Sequence, residues 1–243
     1  MTKIILAFLS VAVFSFAKVI PTYFVAKAST VSAVKGNLQG VGFEVLSTYK
    51  VTPSKTVITV TNSELKNANT FVSAINVLVN ANKEVKVQNP NYYGLAYGVG
   101  KFPQTVNNLA SALGTLKGSK EGLKASKLPK YHFMFGMPYF NEQIVVGGPT
   151  PTKSVLYKLT LPNGSVLVGH KLSPVNRGFL AKINSMDNAA LLPYQSLISG
   201  GKAKIMNPKY YLAVSLPNLK MGDFMKISDI PTKIENDIKA DYK

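Results

Sequence analysis

The sequence predicts an α+β protein of two similar small modules, each a mainly antiparallel sheet with helices packed on one face. Two observations carry this. Short β-branched runs bounded by turn residues alternate with segments of helical period. One motif, Asn-Pro-x-Tyr-Tyr, stands at 89–93 and again at 207–211, each time after a lysine-containing apolar run.

The first element is a leader. Met-Thr-Lys precedes an apolar run from Ile4 to Phe16, with the small residues Ser15 and Ala17 at its end. A positive start, an apolar stretch of roughly 7–15 residues and small residues before a cut define a secretory signal peptide. Residues 1–17 are therefore expected to be removed, leaving a periplasmic or secreted chain. The run is shorter than the roughly 20 residues a membrane-spanning helix needs, and no later segment is as apolar.

Residues 18–117 are assigned to the first module. Strands are expected at 23–26, 43–49 and 56–61, and a helix between the first two, with Ser29 or Thr30 as its cap and Val31, Val34, Leu38 and Val41 on one face. A short helix at 63–70 precedes strands at 75–79 and 84–87 around Asn80-Ala81-Asn82-Lys83, a hairpin signature. The best helix is 105–116, with Val106, Leu109, Leu113 and Leu116 aligned. Residues 118–130, rich in lysine, glycine and serine, read as a linker, and 131–243 as the second module, a diverged or rearranged repeat of the first. That module opens with an aromatic strand at 131–138. Its clearest hairpin joins 155–161 to 166–171 through Pro162-Asn163-Gly164, and it ends in an amphipathic helix carrying Pro231, Ile234 and Ile238.

In each repeated motif proline ends a strand and asparagine can cap a helix. The tyrosines read either as packing residues or as a contact face made of Asn89, Tyr92, Tyr93, Asn207, Tyr210 and Tyr211.

The stretch 24–98 resembles a small α+β family catalogued only as a domain of unknown function, number three hundred and two. The similar features are a helix ending in Gly42-Phe43-Glu44-Val45-Leu46, then Asn62-Ser63-Glu64-Leu65, then Asn89-Pro90-Asn91-Tyr92 after a hairpin. The resemblance implies a compact module that pairs, and no established chemistry.

Composition narrows the function. The chain has no cysteine, which excludes disulfides, thiolate metal sites and thioether haem. Its net charge of +17 comes almost wholly from lysine, Arg177 being the single arginine. Nucleic-acid readers lean on the bidentate arginine fork, so nucleic acid is not the expected partner. Scattered lysines suit an acidic envelope protein or an anionic envelope surface.

Catalytic patterns are thin. Neither His132 nor His170 has an acid nearby in sequence, Glu142 being the nearest, and no Gly-x-Ser-x-Gly elbow is present. No phosphate-binding loop or dinucleotide fingerprint appears, so no cofactor is expected from that quarter. On a strand, His132 and Met134 would share a face, with Met137 brought round by Gly136. Imidazole and thioether suit Cu(I) or haem, which makes a periplasmic copper- or haem-binding protein using His132, Met134 and Met137 the alternative reading. Methionine among Phe133, Phe135, Tyr139 and Phe140 also reads as core filling. The leading expectation is an exported, non-catalytic binding or interaction component of the cell envelope.

Overall fold

Side-chain caps open several of the helices in residues 18–243, the part of the chain that the computed structural model describes; the leader, 1–17, lies outside the described residues. Thr30 accepts from the Ala33 amide, Asn62 from Leu65 and Ser173 from Asn176, each satisfying a donor that the first helical turn leaves free.

In the first half, β1 (Val19–Pro21) and β2 (Tyr23–Ala26) lead to α1 (Val31–Gly40), then β3 (Glu44–Thr52) and β4 (Lys55–Thr61). The short α2 (Ser63–Lys66) and a 3-10 turn (Phe71–Ser73) connect to β5 (Ile75–Asn80) and β6 (Val85–Gln88). Two helices follow, α3 (Pro90–Ala96) and α4 (Pro103–Leu113). Gly94 lets α3 fold back, because a Cβ there would collide with the Gly100 carbonyl and the Phe102 ring.

The stretch expected to be a free linker is instead built into the first half. Its β7 (Lys117–Gly118) extends the sheet beside β2, and β8 (Gly122–Lys124) pairs with β1. The Thr22 amide donates to the Glu121 carbonyl at 2.9 Å and the Ser119 amide to that of Tyr23 at 2.9 Å. In the 3-10 turn that follows (Ala125–Lys130), Leu128 is fully buried. Lysine and serine signal solvent on one side of this strip, while its backbone and a single leucine anchor the other.

The second half runs β9 (Ile144–Gly147), β10 (Val155–Thr160), β11 (Val166–His170), α5 (Pro174–Arg177), α6 (Phe179–Lys182) and a 3-10 turn (Met186–Leu191). It continues with β12 (Tyr194–Ser199), β13 (Lys202–Ile205), α7 (Pro208–Ser215), α8 (Met221–Lys226) and α9 (Ile230–Asp241). The strand expected at 131–138 does not form. Gly136 adopts a φ of +77° in a turn closed by the Met137 amide on the Met134 carbonyl, and a pleated strand cannot pass through that conformation.

The two large sheets share one plan. Strand order is β3-β4-β5-β6-β2-β7 in the first and β10-β11-β12-β13-β9 in the second, with every pairing antiparallel. In both, an early strand returns beside the last hairpin strand, and a helix led by Asn-Pro follows. The segment 148–154 in the second half holds no counterpart of α1.

The halves are packed together. β5 is buried along its whole length because the 3-10 turn Met186–Leu191 of the second half covers it and β6. In return, the turn Phe71–Ser73 of the first half packs on β12. Asn76 of β5 donates across to the Ala190 carbonyl at 3.0 Å, and Gln195, which follows Tyr194 as Asn76 follows Ile75, reaches back to the Ala74 carbonyl at 3.5 Å.

Candidate interaction site

The repeated Asn-Pro-x-Tyr-Tyr motifs open α3 and α7. Asn89 caps through the Asn91 amide at 3.0 Å and Asn207 through the Lys209 amide at 3.1 Å. Each proline occupies the first helical position, where its missing N–H costs no hydrogen bond.

The tyrosines then cross between halves in a reciprocal pattern. The Tyr92 hydroxyl donates to the Val214 carbonyl at 2.7 Å, and its counterpart Tyr210 donates to the Ala96 carbonyl at 3.0 Å. Val214 stands four residues after Tyr210, just as Ala96 stands four after Tyr92. Such an exchange, residue i on j and j on i, has the pattern of an isologous contact, here made within one chain. Tyr93 also crosses, donating to the Ser215 hydroxyl at 3.3 Å, whereas Tyr211 donates to the Leu191 carbonyl of its own half at 2.7 Å.

All four rings are buried, and desolvation pushes their hydroxyls above the usual phenol range, so they remain neutral donors. Asn89 is buried as well, its amide donating to the Pro21 carbonyl at 2.7 Å. The contact face expected of Asn89, Tyr92, Tyr93, Asn207, Tyr210 and Tyr211 is therefore corrected for five of the six, which are interior, while Asn207 is half-buried. Aromatic area of this size is buried against the nearest apolar surface, and that surface is the other half of the same chain.

The most exposed large apolar side chain lies elsewhere, on the segment that joins the halves. Phe135 at its turn is 99% exposed, and Met134 beside it is also on the surface. The ring of Phe133 stacks on Phe224 of α8, with centroids 5.5 Å apart, which holds the turn against that helix. Helix α8 adds Met221 and Met225, the latter 63% exposed, four residues apart on one helical face.

The three residues considered for copper or haem lie in this turn rather than on a strand. His132 Nδ1 sits 2.9 Å from the Met134 carbonyl oxygen, and its ring packs on Tyr139 with centroids 4.6 Å apart. Met134 is exposed and Met137 half-buried, and because no strand forms there the shared strand face expected of His132 and Met134 is absent.

Next to the turn a cleft of about 350 Å³ opens between Tyr97, Lys130, Tyr131, Tyr139, Phe140 and Tyr210. Tyr97 and Phe140, two of its lining residues, stack face to face at 4.7 Å.

One cluster escaped sequence reasoning. His170 of β11 places Nδ1 2.8 Å from Asp241 Oδ2 and Nε2 2.7 Å from Ser196 Oγ, and the Tyr242 hydroxyl reaches Ser196 Oγ at 2.5 Å. These are the distances of a serine–histidine–acid arrangement. His170 and Ser196 are fully buried, however, and the acid belongs to the helix that covers them. Uncovering Ser196 would carry away its own acid. The cluster fastens the end of α9 to β11 and β12.

The first half shows what this position needs structurally. His170 pairs with Tyr194 across the ladder as Val60 pairs with Ile75, and Ser196 pairs with Ile205 as Val77 pairs with Val87. Val60 and Val77 are both fully buried. Sequence distance hid the cluster, since Asp241 follows His170 by 71 residues. The available signal was an acid continuing the apolar stripe Ile234, Ile238 of the last helix.

Comparison with protein-family models, with curated proteins and with solved structures finds no match for this chain.

Proposed function

We propose that this is an exported cell-envelope protein that acts without catalysis as a binding component, and that its contact face is the Phe135 turn together with α8. The single observation that carries the reading is the exposure of Phe135, whose ring meets almost nothing of its own chain. A soluble domain commonly leaves single apolar side chains on its surface. Phe135 and Met134 instead share a turn that the Phe133–Phe224 stack ties to α8, the helix that exposes Met221 and Met225, and apolar side chains exposed on two joined segments mark an interaction site. The leader read from the sequence supports an extracytoplasmic location, and the lysine excess supports an anionic partner. Among the described residues no helix is long and apolar enough to cross a membrane.

A photo-cross-linking residue in place of Phe135, irradiated in cells that express the chain, is expected to capture an envelope component. The same residue in place of exposed Lys158 of β10 is the control. Equal capture at both positions, or capture only of cytoplasmic components, overturns the reading.

A further inference from the structure

We infer that the partner of this face is the surface of an anionic lipid bilayer, which rests on the binding reading above and names its partner. Three features of the turn favour lipid. First, its apex is apolar and projects as a single ring, with unbranched methionines around it. Flexible thioethers adapt to a fluid, irregular medium. An aromatic ring at the tip of a turn can sit in the headgroup and upper acyl region, roughly 5–10 Å deep, as the apolar faces of interfacial helices do.

Second, the backbone of the apex is already partly satisfied. The Met134 carbonyl accepts from the Met137 amide at 3.0 Å and lies 2.9 Å from His132 Nδ1. Polar backbone groups that enter a low-dielectric layer without partners oppose insertion strongly. This turn brings fewer of them.

Third, the segments that lead into the turn and into α8 carry cations. Lys127 and Lys130 precede the turn and Lys220 precedes α8, all on the surface. Of the two carboxylates in the same stretches, Asp223 is offset by Lys226 of α8 at 2.8 Å, and Glu142 accepts from the Tyr139 amide at 2.8 Å, so the lysines outnumber the free acid. Each lysine held near an anionic leaflet adds about 1 kcal/mol of attraction, a tendency that the chain-wide charge of +17 reinforces.

The chain contains no tryptophan, so Phe135→Trp supplies one spectroscopic reporter at the apex. The purified variant is mixed with vesicles of phosphatidylcholine alone or of phosphatidylcholine with phosphatidylglycerol. The expected result is a blue-shifted emission and co-sedimentation with the anionic vesicles only. Phe135→Ala is expected to weaken vesicle binding about tenfold, equivalent to about 1.4 kcal/mol. Lys130→Glu combined with Lys220→Glu is expected to weaken it further, and raising the salt toward 1 M, where the screening length falls to about 3 Å, is expected to abolish most of it.

Sedimentation of the unsubstituted protein guards against a misfolded variant. Failure of that protein to bind anionic vesicles at low salt overturns the inference, as does equal binding to both vesicle types. Loss of a concentration-dependent self-association in Phe135→Ala, with no vesicle binding, would identify a second copy of the chain as the occupant and would also overturn it. The two proposals fail separately: if the cross-linker at position 135 captures an envelope protein while vesicles leave the emission unshifted, the lipid inference falls and the binding reading stands. Silence in both experiments ends both.

Discussion

His170 occupies a core position that the first half fills with valine, so its polarity answers to its immediate neighbours and not to the needs of the sheet. A buried polar cluster is stable only when every member is satisfied. Here the imidazole bridges Asp241 and Ser196, and Tyr242 completes the chain of contacts. His170→Val leaves a buried carboxylate without its partner, and removing one member of such a pair costs about 3–5 kcal/mol. We expect a loss of that size in urea unfolding of His170→Val. A triple variant, His170→Val with Ser196→Val and Asp241→Leu, should recover most of it, because well-packed apolar replacements of a buried pair are often neutral. A single variant as stable as the parent would show that the cluster contributes nothing to holding α9.

Among the elements, the two Asn-Pro helices share a sequence but not a setting. Asn207 makes one cap bond, whereas Asn89 makes the cap bond and a second, part-buried one to the Pro21 carbonyl. Losing a cap costs about 1 kcal/mol, and losing a second hydrogen bond a further 0.5–1.5 kcal/mol or so. Asn89→Ala should therefore destabilise about twice as much as Asn207→Ala, which paired denaturation curves will measure. Both caps were legible in the sequence because asparagine before proline acts over two or three residues. The hairpin at β10 and β11 was legible for the same reason, Asn163-Gly164 being a local turn signal. At 131–138, aromatic content suggested a strand, but Gly136 and its turn decide the backbone there, and composition cannot weigh one against the other. The segment 118–130 misled in the opposite sense, since its polar composition concealed Leu128 and a run of backbone pairings. The contact face was invisible for a deeper reason: which aromatics stay outside depends on how two halves meet, and that is set by contacts far apart in sequence.

Taken whole, the molecule holds most of its tyrosines inside. Ten of the twelve have hydroxyls pushed above the usual range, chiefly by burial, with Tyr131 at about 12. In the unfolded chain these groups ionise near pH 10, while in the fold they stay protonated. Their contribution is therefore complete below about pH 10 and is lost as the pH rises beyond it. Each group that differs fully between the two states removes about 1.4 kcal/mol per pH unit. Lys86 opposes this weakly, because burial lowers its pKa and stability rises as it loses its proton, but it is one group against many. Stability should be level up to about pH 9 and collapse steeply above about pH 10, with tyrosinate absorbance appearing in the same transition as the loss of circular dichroism. Tyrosinate forming gradually ahead of unfolding would refute this picture of the interior.

The reciprocal hydroxyl contacts of Tyr92 and Tyr210 have a consequence for what such a protein can become. Partners joined by one backbone meet at an effective concentration in the millimolar range however dilute the solution, so their union survives where two separate chains would drift apart. Being encoded separately, they are also free of enforced symmetry. A residue exchanged on one side need not be exchanged on the other, and valine facing one sheet with histidine facing its twin is a difference that an assembly of identical subunits could never hold.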